Sequence, residues 1–241
     1  MRTVRICQLK APLATDSVLN LNDDGYGHLI RVLRMKNGDA FNVFDGCGSE
    51  FEAVIENAGK SANYRCIRKI ERNVESPLNI ELGQVISRGE KMEFTIQKAV
   101  ELGITSITPL YSKRCGVKLD DKRGEKKTEQ WQKIAIAACE QCGRNVVPPV
   151  NPITDIDNWY KHDEDTLSLT LDPSASVSLT QIKPKQKIRL LIGPEGGFDS
   201  NEIKKASDNN FMLVSLGPRV LRTETAALSA LSILGCTFGD L

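Results

Sequence analysis

The sequence predicts two parts in series: a small β-barrel over residues 1–72 and an α/β domain with a mainly parallel sheet over 73–241. Three observations predict this division. The first 72 residues carry short, alternating, β-rich runs broken by Gly and Asn. Val74-Glu75-Ser76-Pro77 reads as a linker, because proline discourages a continuing helix or an inner strand. Beyond it, apolar strand-like runs alternate with amphipathic helical ones, the pattern of strands joined by helical crossovers.

In the first part, Ala40-Phe41-Asn42-Val43-Phe44 alternates and stops at the turn pair Asp45-Gly46. Phe51 to Glu56 follows and ends at Asn57-Ala58-Gly59; Tyr64 to Ile70 alternates again. A helix over Gly27–Arg34 is expected from Leu29, Ile30 and Leu33, which share a face at helical spacing.

In the second part, Leu78–Ser87 is a strand rich in Ile, Leu and Val. Glu90–Leu102 is a helix with Met92, Ile96, Ala99 and Val100 on one side, and Ile104–Leu110 is a short strand. Asp120–Lys127 reads as a charged loop, and Lys127–Cys142 as a helix striped by Trp131, Ile134, Ala135 and Ala138. Leu167–Leu171 and Ile188–Ile192 are buried strands, separated by a Ser-rich loop over Asp172–Leu179. The chain then runs helix (Asn201–Asp208), strand (Phe211–Leu216) and helix (Thr225–Leu234).

Composition narrows the class. With 40% hydrophobic and 26% charged residues over 241 positions, the chain reads as an ordinary soluble globule. No apolar run reaches the ~20 residues of a membrane span, and the N-terminus lacks an apolar signal core, so a cytoplasmic protein without a membrane partner is expected. Seven scattered cysteines suit a reducing compartment. Cys139 and Cys142 form one CxxC, but His28 and His162 are the only histidines and lie far off in sequence, so the pair reads as two small residues on a helix face and no metal is expected. A net charge of +1 neither requires nor excludes a nucleic acid, so any such footprint must come from local clusters.

The most informative run is Gly193-Pro194-Glu195-Gly196-Gly197-Phe198, delivered by the buried strand Leu190-Leu191-Ile192. Glycines let the backbone approach a ligand, and proline stiffens the loop. Its G-x-x-G-G spacing is not a dinucleotide fingerprint, and no Gly-Lys-Ser/Thr makes it a P-loop. A tight strand–helix turn would use the same residues. Ser200 is expected to cap the helix behind it.

A second loop, Gly217-Pro218-Arg219-Val220-Leu221-Arg222-Thr223-Glu224-Thr225-Ala226, follows the next strand. Thr223 or Thr225 would cap the last helix, with Glu224 favoured by its positive end. Capping does not account for Arg219 and Arg222. Cations are disfavoured at a helix N-terminus, so the two arginines point to an anionic or polar partner.

Together these two runs resemble the RsmE family, the 16S rRNA uridine-N3 methyltransferases of the SPOUT class. Gln97-Lys98-Ala99-Val100-Glu101-Leu102-Gly103, Ala137 to Arg144, His28 to Arg34 and Gly38-Asp39 resemble the family at further points, so the likeness spans nearly the whole chain. It implies a PUA-like RNA-binding barrel, a SPOUT domain with a deep trefoil knot, and a homodimer with active sites at the subunit interface. It implies S-adenosylmethionine (SAM) as methyl donor, contacted by main-chain groups at Leu171, Gly193, Gly197, Leu216 and Leu221, with Thr223, Thr225 and Ala226 nearby. The implied partner is 16S rRNA or the small ribosomal subunit, not DNA.

Methyl transfer to uridine N3 removes a proton and develops negative charge on the base, which a guanidinium would stabilise. Arg222 is the first candidate and Arg219 the next. Glu140 and Glu224 are the carboxylates in the motifs available to take the proton; a helix-surface or capping role explains Glu140 and a dipole contact explains Glu224 equally well, with solvent as the alternative acceptor. Arg31 and Arg34, with Lys36, and Arg114 and Arg144 are candidates for RNA contact, as are the basic groups Arg65–Arg72 and Lys113–Lys127. Three alternatives stay open at this point: a methyltransferase of the same class acting at another RNA site, a non-catalytic RNA-binding assembly factor, and a phosphate-binding enzyme using the first glycine loop.

Overall fold

A computed structural model of the chain describes residues 3–161, 165–183 and 185–241. His162 lies outside the described residues. The chain separates into two compact units: Met1–Glu75 with Cys139–Val147, and Ser76–Ala138 with Pro148–Leu241.

The first unit is built on a five-stranded sheet. Its strands are β1 (Arg5–Cys7), β2 (Val18–Asn20), β3 (Ala40–Phe44), β4 (Glu50–Asn57) and β5 (Asn63–Lys69), in the order β1-β3-β4-β5-β2. Only β1 with β3 is parallel. Register shifts at Glu52/Ala53 and Ile55/Asn57 bend β4 against β5, as bulges do. The inner face buries Ile6, Phe41, Val43, Phe51, Ile55 and Tyr64, with the Phe41 and Tyr64 rings edge-on at 5.5 Å.

The expected helix at Gly27 takes a different form. α1 (Asp23–Tyr26) starts at Asn22, whose side chain accepts from the Gly25 N–H at 2.7 Å, and then widens into a π-helical turn over Gly27–Val32. The Leu33 N–H reaches back five residues to the His28 carbonyl. In so wide a turn a four-residue spacing no longer returns to one face. Leu29 is therefore buried, while Leu33 turns outward and is exposed.

Residues 139–147 belong to the first unit because Arg5 gathers them. Buried Arg5 donates to the carbonyls of Cys139, Glu140 and Arg144 and to Asn145 Oδ1, and its Nε meets Glu50 Oε1 at 2.9 Å. Glu50, fully buried, also accepts from Arg72 and Asn42. Burial alone would raise the Glu50 carboxyl, but Arg5, Asn42 and Arg72 outweigh it and hold the group below its ordinary 4.5.

The second unit is an α/β layer on a six-stranded sheet. Its strands are β6 (Asn79–Val85), β7 (Ser106–Tyr111), β8 (Thr154–Asp155), β9 (Leu167–Leu171), β10 (Lys187–Ile192) and β11 (Phe211–Val214). Their order is β11-β9-β10-β6-β7-β8, and neighbouring strands pair in parallel. The helices are α2 (Lys91–Glu101), α3 (Asp121–Cys142), α4 (Ile156–Trp159), α5 (Ser200–Asp208) and α6 (Thr223–Phe238). Val85, Leu110, Trp159, Tyr160, Leu191 and Phe211 form one core cluster on the sheet.

Two expectations change here. The charged stretch expected as a loop is the first two turns of α3, because Asp120 Oδ1 accepts the Arg123 N–H at 2.9 Å and starts the helix six residues early. The cap of α5 is Asp199, not Ser200. Asp199 accepts from the Asn201 and Glu202 N–H groups, and Glu202 returns a bond to the Asp199 N–H, a full capping box.

Candidate active site

All strands of the second sheet run the same way, so their carboxyl ends share one edge. In open parallel sheets, ligands bind outside that edge. Three neighbouring strands deliver the loops identified in the sequence to it. β9 ends at Leu171, β10 leads into Gly193, and β11 leads into Leu216 and Gly217. Between them lies a cleft of ≈ 450 Å³, within the roughly 300–1,000 Å³ of small-molecule sites.

The cleft gathers most of the expected set. Leu171, Gly193, Gly197, Leu216, Leu221, Thr223, Ala226, Arg219 and Arg222 all line it. Thr225 does not; it is exposed on the first turn of α6. Sequence reasoning missed Asp172, Ile192, Phe198 and Val214, which also line it. Ile192 and Val214 were readable as the last residues of apolar strands. Phe198 was not, since nothing in a sequence says that its ring packs 3.1 Å from where a Gly193 Cβ would stand.

Each loop is held from outside the cleft. In the first, the Gly197 N–H closes a turn onto the Pro194 carbonyl, and Gly197 takes φ +65°, a value that favours glycine. Arg114 Nη1 donates to the Gly196 and Phe198 carbonyls at 3.0 and 3.3 Å. Its guanidinium is thus engaged in bracing the glycine loop. Glu195 accepts from the Arg88 N–H and from Lys91 Nζ at 3.5 Å, while Glu224 lies 4.0 Å from the same ammonium. Burial raises the Glu195 carboxyl, and the backbone N–H groups and Lys91 more than reverse this, leaving it below its ordinary value. The Ser-rich loop after β9 is pinned to the second loop: Asp172 N–H bonds the Val214 carbonyl, and Ser215 N–H the Val177 carbonyl.

Thr223 does not cap α6. The N-cap position is Arg222, whose side chain makes no cap bond. Thr223 Oγ1 instead donates to the Gly193 carbonyl at 2.7 Å and accepts from Gln84 Nε2 at 3.0 Å, tying the two glycine loops together. Arg219 and Arg222 are exposed at the cleft and form no ion pair or hydrogen bond with the described residues.

The remaining candidates lie in the first unit. Glu140 Oε1 accepts the Cys7 N–H at 2.8 Å, and burial raises its carboxyl above the ordinary value. Arg144 is buried at 4% exposure and pairs with Glu75 at 2.7 Å, a packing role rather than a surface one. Arg31 and Arg34 are exposed, and with Lys36 form a cationic group with no ion pair among the described residues; Arg31 lies over the Tyr26 ring at 5.2 Å. By contrast Arg65, Arg68, Lys69 and Arg72 are paired with Glu56, Glu52, Glu71 and Glu50. Cys139 and Cys142 are free thiols on the last turn of α3, and burial pushes the Cys139 thiol up to about 12. No group of three or more metal-ligating side chains occurs among the described residues, and no helix there is long and apolar enough to cross a membrane.

The residues around the cleft fit SAM. Apolar strand ends, main-chain groups of the glycine loops and the carboxylates of Asp172 and Glu195 line the cleft together, a set suited to a cationic ligand with an apolar part.

The chain is similar to known proteins along its whole length. A family model for the RNA methyltransferase domain matches residues 74–235, and one for the RNA methyltransferase PUA domain matches residues 21–62. Ribosomal RNA small subunit methyltransferase E of Buchnera aphidicola from Schizaphis graminum is 39% identical over 236 residues, covering 97% of this chain and 96% of that one. The Bacillus subtilis protein of the same name is 33% identical, covering 86% and 85%. Among solved structures, ribosomal RNA small subunit methyltransferase E of Neisseria gonorrhoeae bound to SAM superposes with TM-score 0.93 at 37% identity, over 100% of both chains. A Legionella pneumophila methyltransferase structure with bound SAM superposes with TM-score 0.95 at 43% identity, again over 100% of both. With its glycine loops, its parallel sheet and its PUA domain all matched, this chain belongs to the ribosomal RNA small subunit methyltransferase E family.

Proposed function

We propose that the protein transfers a methyl group from SAM to N3 of a specific uridine in 16S rRNA, within the small ribosomal subunit or its precursor. The observation that carries this reading is the convergence of Leu171 and both glycine loops on one cleft, lined also by Arg219 and Arg222, which have no ion pair or hydrogen bond among the described residues. The SAM-bound relatives at full-length coverage support it.

Bound in the cleft, SAM supplies a methyl group on a sulfonium. The chain's own residues do the rest. Main-chain groups at Leu171, Gly193, Gly197, Leu216 and Leu221 hold the donor, with Thr223 and Ala226 against it and Thr225 next to them in sequence, on the first turn of α6. Attack by N3 requires its proton to leave, and the negative charge then spreads to the flanking carbonyl oxygens. Arg222, with Arg219 on the same loop, stabilises that charge at the cleft. Glu140 and Glu224 remain the motif carboxylates for the proton, with solvent as the competing acceptor.

Arg31 and Arg34 would track RNA phosphates from the PUA domain, with Arg114 joining at the methyltransferase domain. The reading includes a cytoplasmic homodimer whose second unit carries the trefoil knot. The apolar run of α6, from Ala226 to Leu234, supports a subunit contact, several of its side chains being only half-buried.

The test is transfer from labelled SAM to hypomethylated small subunits, naked 16S rRNA and a tRNA control, with the product nucleoside identified. N3-methyluridine in 16S rRNA is expected. Label in tRNA alone, or a different methylated nucleoside, would overturn the substrate assignment.

A further inference from the structure

We infer that Gln84 is a positioning residue for the cofactor cleft: through Thr223 it fixes the Gly193 carbonyl, and so sets how the two glycine loops face each other. The inference rests on reading the cleft as the SAM site.

Gln84 is an amide in the otherwise apolar run Leu82-Gly83-Gln84-Val85-Ile86 at the end of β6, and is fully buried. It does not line the cleft. Its Nε2 stands 3.1 Å from the Val85 carbonyl and 3.0 Å from Thr223 Oγ1. A carbonyl only accepts, so the atom facing Val85 must be the nitrogen; the flipped amide would set oxygen against oxygen. The amide therefore donates to Thr223. A hydroxyl has one proton, and with its oxygen accepting from Gln84 that proton goes to the Gly193 carbonyl at 2.7 Å.

The direction of this chain is thus fixed from β6 outward. It joins the loop after β10 to the start of α6 across 30 residues of sequence. The Gln84 Oε1 finds no hydrogen-bond partner among the described residues, so Nε2 alone anchors the chain, and breaking one link in the dry interior leaves the next group unsatisfied. Gly193 precedes Pro194, which has no N–H, so the Gly193 carbonyl is the polar handle by which this corner can be oriented.

The experiment measures SAM affinity by calorimetry, and KM for SAM and for RNA, on the full-length wild type, Gln84→Met, Thr223→Val and the double variant. Met keeps the length of the side chain and removes the amide. Gln84→Met is expected to weaken SAM binding roughly tenfold, as for a lost buried hydrogen bond, and to leave KM for RNA unchanged. Thr223→Val should weaken it at least as much, and the double variant no further, because both break one chain. Gln84→Glu guards against a variant that does not fold. Only its protonated carboxyl can donate to Thr223, so its SAM affinity should fall as pH rises through the carboxyl's titration, a dependence that mere loss of packing would not produce.

A lowered melting temperature with unchanged SAM affinity in Gln84→Met, or full additivity in the double variant, would overturn the inference while leaving the site intact. Absence of SAM binding by the wild type would instead overturn the reading of the cleft, and this inference with it.

Discussion

Arg222→Ala separates catalysis from binding and from stability. Arg222 occupies the N-cap of α6 with no side-chain cap bond, and its guanidinium is exposed and without a partner among the described residues. Removing it breaks no interaction that the fold uses. A cation at the positive end of a helix is unfavourable by ~0.3–1 kcal/mol, so the variant should be as stable as the wild type or slightly more so. At ~2–4 °C per kcal/mol for a chain of this size, the melting temperature should hold or rise by at most about 4 °C. The chemical step is another matter. Loss of one donor to an oxyanion costs roughly 10²–10³ in kcat, or ~2.7–4 kcal/mol. SAM affinity should stay within about threefold, under ~0.7 kcal/mol. Single-turnover transfer from labelled SAM, calorimetric SAM titration and a thermal melt together read all three. Turnover within threefold of wild type would remove Arg222 from the charge-stabilising role. A fall in melting temperature of several degrees would show that the guanidinium has a structural use after all.

In the first unit, Glu50→Gln takes the buried charge from Arg5 and should cost about 3–5 kcal/mol by chemical denaturation; a loss below 1 kcal/mol would mean the ion pair contributes little. Because the folded Glu50 carboxyl is held below its ordinary 4.5, its stabilisation is complete above that value and is lost as pH falls through the lower, folded one. Melts from pH 7 down to about 3 should therefore show the wild type's advantage over Glu50→Gln shrinking below about pH 4.5, and an advantage independent of pH would contradict this. Gly83→Ala would place a Cβ 2.6–2.8 Å from three Trp159 ring atoms, and should destabilise by ~1–3 kcal/mol in the same denaturation assay. Arg31→Ala with Arg34→Ala should weaken RNA binding uniformly across sequences and reduce the salt slope of log affinity by roughly 0.7–0.9 per charge; an unchanged slope would place the RNA elsewhere.

The longer strands and helices of the second unit were legible because each has room for its period to show. Leu167–Leu171 and Lys187–Ile192 read as apolar runs, and α2 as a stripe. What failed was shorter or governed by one side chain. β1, β2 and β8 have three residues or fewer, too few for alternation to register. The start of α3 was hidden by its charges, since a solvated face carries no apolar period, and only the Asp120 cap marks it. The π-helical turn at Gly27–Val32 gives the same apolar spacing as an α-helix in sequence, yet it sends Leu33 to solvent.

For the site, sequence position proved a good guide to which backbone reaches the cleft and a poor one to what each side chain does there. A glycine loop after a buried strand is constrained by the sheet: once the strands are parallel, its place at the carboxyl edge follows. Side chains carry no such constraint. Thr223 looked like a cap, yet its hydroxyl faces Gly193 because Gln84, 139 residues earlier in the chain, supplies the donor that turns it there. Arg144 looked like a surface cation, yet it is buried against the half-buried carboxylate of Glu75, and Arg114, though exposed, also braces two loop carbonyls. Both kinds of misreading have one cause. A polar side chain takes its role from the nearest unmet donor or acceptor in space, and burial makes that demand stringent. The exposed arginines at positions 219 and 222 are informative for the opposite reason, since the fold makes no demand on them and their placement at the cleft is left for the substrate to explain.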